Sequence, residues 1–102
     1  MDPGFVDNKP TLVQLMSRVG FLLLHWGGAE RITGDRPAPE LDKVRTMRND
    51  LCHGMEAASA DPRDDREPWI RCCARGGEVF YTWTDLEEAI RTLERFKGSR
   101  RS

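Results

Sequence analysis

The sequence predicts a mainly α fold: a compact three-to-four-helix bundle with a small β-hairpin before the last helix. Three observations point to it. Apolar residues recur at helical spacing in three segments. Two short β-prone runs flank Arg75-Gly76-Gly77. Glycine, proline and polar clusters separate these segments. With 102 residues, 38% apolar and 32% charged, one globular domain is expected.

Residues 1–10 read as a flexible N-terminal arm, residues 11–97 as the helical domain and residues 98–102 as a basic tail. From Thr11 to about Ile32, Leu12, Leu15 or Met16, Val19, Leu22 or Leu23, Trp26 and Ala29 recur at steps of three and four. That is a helix with one apolar face. Gly20, Gly27 and Gly28 weaken it intrinsically and permit close approach of another backbone. The segment TGDRPAPE then reads as a turn. A second helix is expected from about Pro39 to Cys52 or His53. Pro39 suits its first turn, and Glu40 and Asp42 suit its positive end. Leu41, Val44, Met47 or Arg48, and Leu51 form its inward stripe, and Gly54 is its expected stop. Residues 56–68 (EAASADPRDDREP) are a polar excursion expected to be a loop. WIRCCARGGEVFYTW supplies the hairpin. Thr84 with Glu87 forms a capping-box pattern that opens the third helix, TDLEEAIRTLERF, with Leu86, Ile90, Leu93 and Phe96 inward.

The formal net charge is −1, which argues against a broad phosphate-binding surface while leaving room for a local site. Thirteen of the sixteen basic residues are Arg, suited to planar contacts with carboxylate or phosphate. Three cysteines and an amino end without a signal-peptide pattern point to a reducing cytoplasm. The longest apolar run, VGFLLLHW, is too short to span a bilayer, so no membrane partner is expected. The first helix offers Val19, Phe21, Leu22, Leu23, Leu24 and Trp26 within eight positions. The narrow stripes of the other two helices cannot wrap it completely. A two-fold homodimer is therefore expected, with a second copy covering the remainder.

The chemistry concentrates in RNDLCHG, residues 48–54. Asn49 and His53 are four residues apart and share a helix face, so Asn49 can fix an imidazole tautomer. His53 near a helix C-terminus is favoured as the cation. Arg48 can grip a phosphate with two donors. These groups suit metal-independent RNA cleavage: the histidine moves a proton and the arginine stabilises charge on phosphorus. One histidine cannot easily make both transfers, whereas a dimer with the second helix at its axis would supply two. A plain helix cap is the alternative, with His53 bonded to a carbonyl and Arg48 paired with Glu30 or Asp50.

RNDLCHG resembles the RNxxxHG signature of the HEPN superfamily of helical domains, in which an Arg and a polar residue precede a His four to six residues after the Arg. Arg48, Asn49 and His53 match it. HWGGAE, with Trp26 and Glu30, resembles the Trp-containing run ending in Glu on an earlier helix of many members. The likeness covers roughly residues 12–96. It implies a homodimer whose two motifs face each other across a cleft, with Arg48, Asn49, His53 and Glu30 as site residues. Catalytic members are metal-independent endoribonucleases, often toxins or phage-defence effectors. Such an enzyme would leave 2′,3′-cyclic phosphate and 5′-hydroxyl ends and would have RNA, and in a toxin a cognate antitoxin, as partners. Other members are noncatalytic dimerisation or binding modules. The family's usual domain has four or five helices, and this chain is shorter by at least one.

No cofactor or metal is expected. Cys52, His53, Cys72 and Cys73 lack C-x₂-C spacing, and thiols are the simpler reading. His25 reads as a satisfied core or interface histidine. Packing is the first expectation for Trp26, Trp69, Tyr81 and Trp83, with base stacking second. Gly76-Gly77 is a turn, since no GK[ST] follows. Glu30 can reach across the helix pair to His53 or Arg48, or remain an ordinary surface carboxylate.

Overall fold

A computed structural model describes residues 9–34, 38–61, 63 and 65–101. The first eight residues of the expected arm lie outside the described residues. Helix α1 (Leu12–Thr33) opens with a reciprocal cap. Thr11 Oγ1 accepts from the Gln14 N–H, and Gln14 Oε1 accepts from the Thr11 N–H. It ends at Gly34, whose positive φ of 59° lets its N–H turn back to the Glu30 carbonyl. One 3₁₀ turn, Pro39–Leu41, leads into α2 (Asp42–Gly54). Three strands follow, β1 (Met55–Ser59), β2 (Trp69–Ala74) and β3 (Gly77–Thr82), and α3 (Trp83–Arg101) closes the chain.

The result is a three-helix bundle with an antiparallel hairpin before its last helix, as the sequence predicts. The inward faces are those read from the periodicity, except that Leu12, the first residue of the expected α1 face, is exposed. Leu15, Val19, Leu22, Trp26 and Ala29 of α1 meet Leu86, Ala89, Ile90, Leu93 and Phe96 of α3. Val44, Met47 and Leu51 of α2 pack against them, and Ile70 and Cys72 of β2 seal the core from the sheet side.

Three details correct the sequence reading. Residues 56–59 of the expected loop are not loop: with Met55 they form a third strand, antiparallel to β2, with an irregularity between Met55 and Ala57. Ala57, Ala58 and Ser59 have little intrinsic strand preference, and their pairing with the edge of β2 sets the conformation. The cap of α3 is not Thr84 with Glu87. Thr82 Oγ1 accepts from the Asp85 N–H and Asp85 Oδ2 accepts from the Thr82 N–H, because β3 runs into α3 without a loop. The Thr84 N–H donates instead to Glu67 Oε1. The third helix also continues through Gly98 to Arg101, so most of the basic segment prolongs α3. Among the described residues, no helix is long and apolar enough to cross a membrane.

Candidate functional site

The motif occupies the last two turns of α2, where the helix passes directly into β1. Gly54 is the last helical residue, and its role is steric. A Cβ there would collide with the Cys73 carbonyl oxygen, so glycine sets how closely α2 approaches β2. At about 100° per residue, Asn49 and His53 lie about 40° apart around α2, and Arg48 about 140° from His53. Arg48 is half-buried, while Asn49 and His53 are exposed. The Arg48 guanidinium bends toward the exposed side and donates to Asn49 Oδ1 at 2.8 Å. Asn49 thus orients the arginine; no hydrogen bond from it to His53 is present among the described residues.

Asp50, which the sequence offered only as a partner for Arg48, is bound by other residues instead. It is the buried charged residue among the described residues, 5% exposed. Arg75, at the hairpin turn, grips it with two donors, 2.9 Å to Oδ1 and 3.1 Å to Oδ2. The Tyr81 hydroxyl donates to Oδ2 at 2.6 Å. Burial alone would raise the Asp50 pKa. The hydrogen bonds from Arg75 and Tyr81, with the Arg75 charge, outweigh burial and hold the carboxyl below its ordinary range. Burial, followed by the bond to Asp50 and its charge, pushes the Tyr81 hydroxyl up to about 12. Arg75 adopts a left-handed φ of 52°, unusual for a side chain of its size, in the two-residue turn it shares with Gly76 at φ 80°. The signal available in the sequence was Arg75 at a turn position that usually carries Asn, Asp or Gly.

Glu30 is exposed near the end of α1. The link to α2 is short, and Arg45 in the first turns of α2 lies over the Trp26 ring at 5.6 Å. Glu30 therefore sits at the Asp42 end of α2, whereas His53 is eleven residues further along, about 16 Å by helix rise. Within one chain the structure brings Arg48, Asn49 and His53 onto one stretch of helix and leaves Glu30 apart from them.

The remaining candidates are structural in their contacts. His25 is half-buried between α1 and α3, where Lys97 Nζ donates to its Nδ1 at 2.8 Å. That leaves the ring proton on Nε2, which faces Glu94 at 3.8 Å. Trp26 is in the core. Trp83 lies under Arg18 at 5.0 Å. Trp69 packs edge-on against Phe80 at 5.4 Å, with Arg66 over it at 5.5 Å. Cys52 and Cys73 are exposed thiols. Cys72 is buried, and burial, then the Asp50 and Glu56 charges, raise its pKa. Among the described residues, no cluster of three or more His, Cys, Asp or Glu side chains could hold a metal.

Compared with known proteins, the chain matches no family model, no curated sequence and no solved structure. The functional reading rests on its own residues.

Proposed function

We propose that this chain is a HEPN-like, metal-independent RNA endonuclease that acts as a two-fold homodimer. One observation supports it above others: Asn49 turns the Arg48 guanidinium toward the exposed side of α2 that carries His53. In this reading one His53 takes the proton of a ribose 2′-hydroxyl, and the 2′-oxygen attacks the adjacent phosphorus. Arg48 stabilises the charge on the pentacoordinate phosphorus. The 5′-oxygen leaves with a proton from His53 of the partner subunit. The products are a 2′,3′-cyclic phosphate and a 5′-hydroxyl. Glu30, near the end of α1 and apart from these groups within one chain, makes no proton transfer in this reading. A toxin or defence role with a cognate antitoxin belongs to the same reading.

A noncatalytic dimerisation or binding module is the second reading. It is favoured by the position of Arg48, Asn49 and His53, which line none of the hollows beside Phe80, Trp69 or Trp83. One experiment separates the two. Purified protein is incubated with RNA in EDTA, and the new ends are analysed. Cleavage to cyclic-phosphate ends, falling at least about 100-fold in His53→Ala with the fold unchanged by circular dichroism, supports the nuclease. Undiminished cleavage by His53→Ala, or none by the wild type, removes it.

A further inference from the structure

A second surface is built around the edge of β3. The sheet order is β1-β2-β3, so β3 pairs on one side only. Its register with β2 joins Ala74 to Gly77, Cys72 to Val79 and Ile70 to Tyr81, and the Trp83 N–H continues the ladder to the Pro68 carbonyl. A two-residue turn makes Ala74–Gly77 a bonded pair, and bonded pairs alternate along an antiparallel ladder. The backbone N–H and C=O groups of Glu78 and Phe80 therefore point away from β2. Among the described residues, no backbone bond joins them to another element.

A groove of about 450 Å³ lies along this edge between α2 and α3. Phe80 and Tyr81 both line it. Consecutive strand residues face opposite sides of a sheet, so a hollow touched by both wraps the strand's open side. Its apolar wall includes Val44, Met47 and Ala89, and Phe80 remains 49% exposed. Asp42, Asp85 and Glu88 stand on its rim with Lys43, and Arg45 pairs with Asp42, so Asp85 and Glu88 leave the rim net negative. Glu78 adds an acidic side chain on the strand itself, outside the groove lining, with Arg71 at 3.9 Å. Edge strands are commonly guarded by lysine or proline. This one, GEVFYT, has neither.

We infer that the β3 edge is a docking site for an extended polypeptide segment of another protein, one that alternates apolar with Lys or Arg residues. Main-chain bonds to Glu78 and Phe80 would add it as a fourth strand, with apolar side chains in the groove and basic ones on the acidic rim. Charge selects this occupant. RNA would meet the same carboxylates, and two copies pairing edge to edge would bring their acidic rims together. The inference is independent of the RNA-cleavage reading, because Arg48, Asn49 and His53 do not line the groove.

The test uses the full chain and three fluorescent probes: a peptide of alternating Lys and Val, its Glu and Val counterpart, and a short single-stranded RNA. Fluorescence anisotropy should show binding of the Lys-Val peptide alone, weakened at least about tenfold in Glu78→Lys/Glu88→Lys, a double change at two exposed positions. Amide exchange at Glu78 and Phe80 should slow when this peptide binds. Equal binding of the acidic peptide would overturn the proposal. So would RNA protection of the β3 edge, self-association through that edge, or Lys-Val binding untouched by the charge reversal.

Discussion

Asp50 fastens the motif helix to the hairpin. Its carboxylate is buried, doubly bonded by Arg75 and bonded again by Tyr81. The left-handed Arg75 is held in a conformation it would not choose by the partner it reaches. Replacing Asp50 with Asn removes the charge that all three donors serve. Asp50→Asn should lower unfolding free energy by about 2 kcal/mol at neutral pH, measured by urea denaturation. The pH dependence follows from the two shifts. The Asp50 pKa is lowered in the folded state, so its contribution is present above the ordinary carboxyl value of about 4 and lost as pH falls below it through the folded value. Tyr81 is raised to about 12, so its contribution is present below about 10 and lost as pH climbs toward the folded value. Asp50→Asn should flatten the acid limb of the stability profile, and Tyr81→Phe the alkaline limb. Unchanged limbs in both variants would show that the clamp does not form.

At the scale of elements, the junction between β3 and α3 carries the clearest expectation. The strand ends at Thr82 and the helix begins at the next residue, so the side chain of the last strand residue caps the helix. Thr82→Ala should cost about 1 kcal/mol, whereas Thr84→Ala should change stability by only about 0.3 kcal/mol. Thermal denaturation of the two variants distinguishes them, and the reverse order would restore the Thr84–Glu87 cap. The α2–β2 contact works differently: Gly54 is fixed by the Cys73 carbonyl above it and not by a left-handed turn. The glycine of the motif thus has a steric role that its helix-stop appearance conceals.

For the whole molecule, the question is what covers the outer side of α1. Val13 is 76% and Leu24 70% exposed, on a stripe that passes through Gly20 and Gly27, where nothing lies within 4 Å of an added Cβ. The proposed homodimer would bury this stripe. Two copies of Leu24 leaving an apolar interface forfeit roughly 3–6 kcal/mol, a weakening of well over a hundredfold. Sedimentation should give twice the chain mass for the wild type and a folded monomer for Leu24→Asp, with RNA cleavage lost alongside the dimer. A wild-type monomer at micromolar concentration would end the shared-site mechanism.

The sequence by itself determined the three helices, the hairpin and the inward faces, because helical periodicity and a turn pair are local signals that burial reinforces. It also placed Arg48, Asn49 and His53 at one helix end, since four- and five-residue spacings on a helix are geometry. Three things were decided only by tertiary structure. Strand β1 exists through pairing with β2, and its Ala-Ala-Ser segment carries no pattern of its own. The cap of α3 moved to Thr82 because the path of β3, not the local Thr-x-x-Glu match, sets where the helix begins. Asp50 became the anchor because Arg75 and Tyr81, 25 and 31 residues away, converge on it across the sheet. A carboxylate's partners at such separations depend on register and packing, which no short window of sequence contains.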